Sequence, residues 1–177
     1  IQQQALCRHK SEMPSKQRAL IDALLILESI GNQSDTETFG IKGAIYKRLW
    51  EETNDNSYLD SAIESYKKGW GLYEDYYTGE NYANCMYMKA TILEGDLKTY
   101  SEVEAKLTFE RIITIVQRSL EETEPEEIMW KYATLSNSYL ALKQFENAEK
   151  YEKLFREQKP SQWQIDTFEK TKQLYIE

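Results

Sequence analysis

The sequence predicts an all-α fold of antiparallel helix hairpins, and three observations carry that reading. Only 7 Gly and 3 Pro interrupt 177 residues, while Glu, Lys, Gln, Leu and Ala, all good helix formers, fill the stretches between polar clusters. Apolar residues recur at steps of three and four, the spacing that places them on one helical face. Short polar clusters recur between these stretches, as they do where successive helices reverse direction.

Capping-box spacing marks four helix starts, at Ser34 with Glu37, Ser101 with Glu104, Thr123 with Glu126, and Ser161 with Gln164. In such a pair a hydroxyl and a carboxyl or amide satisfy orphan N–H groups reciprocally. Pro14 before Ser15, and the polar stretch Thr53 to Ser57, supply two more breaks. Helices are therefore expected at about 2–11, 15–30, 36–52, 58–73, 78–93, 101–122, 126–142, 145–158 and 162–176. In the sixth, Val103, Leu107, Ile112, Ile113, Val116 and Leu120 should form one buried apolar stripe.

Composition narrows the function. With 22 Lys+Arg against 30 Asp+Glu the chain has a formal charge of -8, which opposes binding to a phosphate backbone, so no nucleic-acid partner is expected. The longest apolar run, Ala23 to Leu27, is far shorter than a membrane span, so no membrane partner is expected either. Cys7 and Cys85 belong to no Cys-x-x-Cys or Cys/His cluster, and two inert, buried thiols in a reducing, cytoplasmic setting are expected. The chain begins with Ile and shows no leader pattern, which reads as a fragment of a longer protein.

The small and large residues repeat. Tyr132, Leu135, Ser136 and Tyr139, followed by Ala148, Phe155 and Pro160, match the two-helix tetratricopeptide pattern, in which small residues let paired helices approach closely. Glu152 departs from the aromatic expected at its step. Phe39, Gly43 and Tyr46 with Ala62, Tyr66 and Gly69 repeat the motif, with Lys42 where Leu is usual. Gly43 and Ala62 are 19 residues apart against a consensus of about 12, so a seven-residue loop insertion is expected at Glu51–Ser57. A third hairpin places Ala83 at the small position, and Ala19, Ala23 and Ile26 mark the second helix of the first. The architecture expected is a single tetratricopeptide-like α-solenoid over 1–177, with hairpins at about 1–31, 36–75, 77–122 and 126–159 and a capping helix at 161–177.

Three segments are more specific: Gly43-Ala-Ile-Tyr-Lys47, Ala62-Ile-Glu-Ser-Tyr66-Lys-Lys-Gly69 and Tyr77-Thr-Gly-Glu-Asn81. Through them the chain resembles the TRAF-binding, tetratricopeptide-like module in the central regulatory region of the apoptosis signal-regulating kinases and its bacterial relatives. The resemblance is strongest over residues 36–90. It implies a helical regulatory scaffold that binds proteins beside or within signalling chains. Neither a Gly-rich phosphate loop nor a His-Arg-Asp triplet is present, so kinase chemistry does not carry over.

Catalytic constellations are thin. His9 is the sole histidine, which excludes a multi-His metal site and leaves little room for a Ser/His/Asp triad. Cys7 lies on a different helical face from His9. Glu121, Glu122, Glu124, Glu126 and Glu127 read as a solvated loop and helix N-terminus, not a cation site. The chain is thus expected to be noncatalytic, with no cofactor and no metal. Most of its 13 Tyr and 4 Trp should be core. By helical register, Lys47, Arg48, Tyr77, Glu80, Asn84, Tyr87, Trp130 and Asn137 should face a concave groove suited to a protein or peptide. The polar pair that clamps a peptide carboxylate is missing, because Gly40 and Ala44 stand there. The function expected is a noncatalytic protein-interaction scaffold regulating an attached or neighbouring effector domain, or alternatively a repeat that senses a peptide or small ligand.

Overall fold

In the computed structural model, which describes residues 1–29 and 35–176, the protein is all-α. The helices are α1 (Gln2–Ser11), α2 (Lys16–Glu28), α3 (Thr36–Thr53), α4 (Asn56–Tyr73), α5 (Tyr76–Thr91), α6 (Gly95–Ser119), α7 (Pro125–Ala141), α8 (Phe145–Glu157) and α9 (Gln162–Lys172). Single 3₁₀ turns follow α6 and α9. The chain divides into two compact units, Ile1–Cys85 and Met86–Glu177, with the boundary inside α5.

In the first unit, short polar side chains start the helices. Ser15, Asp35, Asp55 and Asp75 accept backbone N–H groups at the starts of α2, α3, α4 and α5. Asp35, not Ser34, caps α3; Ser34 lies outside the described residues. The expected loop insertion is not a loop. α3 runs to Thr53 and α4 starts at Asn56, so the extra residues lengthen both helices and Asn54–Asp55 alone make the turn. Ala5, Leu20, Ala23, Leu27, Ile41, Ile45 and Leu49 form one buried cluster on α1, α2 and α3.

Close helix approach in this unit depends on glycine. A Cβ on Gly43 would lie 2.7 Å from the ring of Tyr66, and Ala62 nearby on α4 is fully buried. Gly69 meets Thr78 in the same way at 2.7 Å, and Gly79 meets the Trp70 indole at 2.5 Å. Each glycine is a socket for a side chain of the antiparallel neighbour, a fit that any larger residue would overpack.

The second unit is fastened differently. Ser136 Oγ donates to the Ala148 carbonyl at 2.9 Å, joining α7 to α8. Gln117 on α6 donates to the hydroxyls of Tyr139 and Tyr151 at 2.8 and 3.1 Å, whose rings stack with centroids 5.6 Å apart. Phe155 and Phe168 join α8 to α9 at 4.7 Å. Around them, Glu152 accepts from both Arg156 and Lys172, and Arg156 also pairs with Glu169. The departure of Glu152 from the repeat pattern thus has a physical reason, since it is the acceptor that fastens α9.

Three expectations are corrected here. Ser101 does not start a helix: it is buried inside α6, where its Oγ donates to the Leu97 carbonyl. α6 buries Ser101, Ala105, Thr108, Phe109, Ile112, Ile113 and Val116, whereas Val103 and Leu107 are exposed with Leu97 and Tyr100. The apolar residues therefore lie on two faces, and the small ones, which periodicity does not count, mark the packed one. Thr123 is also no cap, because α7 starts after Glu124 and Thr123 Oγ1 donates to Ser119. Ser161 with Gln164 does form the expected capping box.

Candidate functional site

The groove residues foreseen in the sequence divide between the two units. In the first, α1, α3 and α5 lie side by side: Gln2 on α1 donates to Thr38 on α3 at 2.8 Å, and Tyr77 on α5 packs on Gly40 of α3. Gly40, Ala44 and Arg48 form a row at four-residue spacing along α3, small at one end and cationic at the other.

Tyr77 is 49% exposed, yet its hydroxyl end is sequestered and hydrogen-bonded with that of Tyr66. Sequestration pushes the Tyr77 phenol up, opposed by the nearby Arg48 charge. Tyr66 is fully buried, and desolvation raises its phenol further. Lys47 is half-buried and lies near Cys85, whose thiol burial pushes up to about 11 despite that charge. Cys85 is thereby inert as expected, whereas Cys7 is exposed, contrary to expectation, because its face of α1 is turned to solvent.

Arg48 is the exposed cation of this face, and no carboxylate among the described residues lies within ion-pair distance of it. Its guanidinium lies 3.4 Å from His9 Nδ1 on α1. Arginine can only donate, so Nδ1 accepts and Nε2 carries the ring proton. His9 is 7% exposed, and its Nε2 is buried with no hydrogen-bond partner. Desolvation first, then the charges of Arg48 and Lys10, lower its pKa to about 4, so the ring is neutral near pH 7. Sequence reasoning missed His9, since only the packing of α1 on α3 joins residues 39 apart.

Several foreseen positions are not free surface. Asn84 is 2% exposed and Glu80 is half-buried, and both are engaged. In the second unit Asn137 is likewise 2% exposed, with its Oδ1 buried and unpartnered. Tyr87 meets the ring of Tyr175 edge-on at 4.9 Å, and Trp130 lies 5.7 Å from Trp163. These two aromatics hold the C-terminal segment, and Trp163 is the exposed partner of its pair, at 62%. No cluster of three metal-type ligands occurs among the described residues. No helix among them is long and apolar enough to cross a membrane.

Residues 1–86 match the family model described as Tetratricopeptide Repeats-Sensor. The matched segment and the first compact unit, Ile1–Cys85, nearly coincide. Neither a curated protein nor a solved structure shows significant similarity to the chain. Its first half is thus a tetratricopeptide-like module, of a kind that serves as a protein-interaction or sensor repeat.

Proposed function

We propose that the chain is a noncatalytic protein-interaction module, a regulatory segment of a cytoplasmic signalling protein that controls an attached or neighbouring effector domain. The partner docks on the face formed by α1, α3 and α5. What supports this reading above all is the half-exposed Tyr77 ring beside the small-residue row Gly40–Ala44, which ends in the exposed Arg48. An aromatic anchor on a shallow floor with a cation at its edge suits an extended peptide or a helix of a protein partner. The acidic balance of the chain favours a protein over nucleic acid. The resemblance to the central module of the apoptosis signal-regulating kinases favours a signalling context.

A second reading, a sensor for a peptide or small ligand, is favoured by the description of the matching family and by the polar corner at His9 and Arg48. Both readings use the same face. The test is capture of partners from native lysate with the wild type, Ala44→Glu, Tyr77→Ala and, on the outer face of α8, Lys153→Glu. A protein retained by the wild type and Lys153→Glu but lost by Ala44→Glu and Tyr77→Ala supports the assignment. Equal capture by all four, with helical circular dichroism intact, refutes it.

A further inference from the structure

From the Arg48–His9 corner we infer that the α1/α3/α5 face recognises an oxyanion, a phosphoryl or carboxylate group carried by its ligand, with the Arg48 guanidinium as the primary contact. The inference rests on the assignment of that face as the binding surface.

The corner has more donors than acceptors. Arg48 offers five N–H groups, and His9 Nδ1 at 3.4 Å is the acceptor that meets them. The His9 Nε2 is buried on the other side of the ring, so the guanidinium alone offers donors to an outside group. An acceptor-rich group corrects this imbalance.

Charge bookkeeping agrees. Two neighbouring cations are matched, since Arg8 pairs with Asp22, and Lys16 with Glu52 at 2.7 Å, while Lys10 and Lys47 add to the positive charge around the corner. Neither Glu51 nor Glu80 is free. Arg48 is thus an exposed cation without a carboxylate partner among the described residues, in a chain whose formal charge is -8. Such a site holds an anion by short-range, charge-assisted hydrogen bonds, while the protein's overall field discourages polyanions such as nucleic acid. The peptide-clamping arrangement of other repeats needs polar groups where Gly40 and Ala44 stand, so this corner is a separate arrangement.

The sole histidine provides the test. His9 gives one imidazole Cε1–H resonance, and it is in contact with Arg48. Inorganic phosphate and acetate are titrated separately, in chloride buffer near pH 7, into the wild type, Arg48→Gln and Lys47→Gln. At least one anion should move the His9 signal saturably in the wild type. Arg48→Gln should weaken that response by about tenfold, the loss expected for a hydrogen bond to a charged group. Lys47→Gln, an equal change of charge one residue away, should leave the midpoint within about twofold. The two titrations distinguish a phosphoryl from a carboxylate preference. No saturable movement with either anion, or an unchanged response in Arg48→Gln, overturns the inference.

The result is separable from that of the face itself. If Ala44→Glu abolishes partner capture while neither anion moves His9, the face stands and the oxyanion falls. If phosphate binds at Arg48 while Ala44→Glu captures partners normally, the anion site stands and the docking assignment falls.

Discussion

The hairpins α3–α4 and α7–α8 share a plan but are joined by different chemistry. In α3–α4 a missing side chain makes the contact, as Gly43 lets the ring of Tyr66 lie where a Cβ would sit 2.7 Å away. In α7–α8 a polar contact replaces it, with Ser136 bonded across the crossing to the Ala148 carbonyl. A socket tolerates no added volume but leaves no polar group to satisfy. A hydrogen-bonded crossing accepts a small residue of either kind, at the cost of a buried hydroxyl that needs its partner. One repeat pattern therefore conceals two different sensitivities to mutation.

The largest effect should come where aromatic rings alone fill the space. Phe155→Ala removes a fully buried ring packed at a tilt against Phe168, and should lower stability by about 3 to 5 kcal/mol in urea unfolding. A loss below about 1 kcal/mol would mean that α9 contributes little to the second unit. Next comes the socket: Gly43→Leu should cost about 1 to 3 kcal/mol by overpacking against Tyr66. An unchanged melting temperature would show that this crossing yields more easily than its geometry implies. Ser136→Ala should cost only about 1 kcal/mol, since one donor is lost and the helical Ala148 carbonyl keeps its backbone bond. If Ser136→Ala proves as damaging as Gly43→Leu, the contrast between the crossings disappears.

The smallest effect is a pH dependence at the α1–α3 contact. His9 titrates at about 4 when folded, against 6.5 in the unfolded chain. Its burial as a neutral ring therefore contributes stability that is fully present above pH about 6.5 and lost as pH falls towards 4. As the effect of a single group, the drop should amount to a few degrees in melting temperature. His9→Gln, which keeps an acceptor for Arg48, should show a shallower decline across that window. Parallel curves for the two proteins would show that His9 does not titrate as its surroundings imply.

Much of this architecture was legible because helices announce themselves locally. Ser15 and Ser161 cap helices where their spacing placed them, and Gly43 with Ala62 pointed to a close crossing. What the sequence concealed was tertiary. Ser101 has capping-box spacing, yet Gly95 adopts a φ of +60° and α6 begins there, leaving Ser101 in its interior. Glu152 looked like a defect in the repeat because its partners, Lys172 on α9 and Arg156, acquire meaning only once α9 is docked. At the candidate site, register brought forward Arg48 and Tyr77, and the structure seats Tyr77 against Gly40, eight residues before Arg48 on the same helix. It could not reveal that Asn84 and Asn137 are buried, nor that Tyr87 and Trp130 meet aromatics from the C-terminal segment. His9 was passed over because one-dimensional neighbours do not include a residue 39 positions away.

The reversals between helices have a further consequence. Glu12, Asn54, Glu74, Lys143 and Lys159 all adopt left-handed backbone, with φ between 52° and 59°, and only Asn54 is a residue suited to it. Each of the others is held there against its preference by the helices on either side, so the turns follow the packing and do not direct it. Local backbone chemistry is consequently a reservoir of unused stability in this chain. An engineer could draw on it at four surface positions without touching either the glycine sockets or the face that carries Arg48.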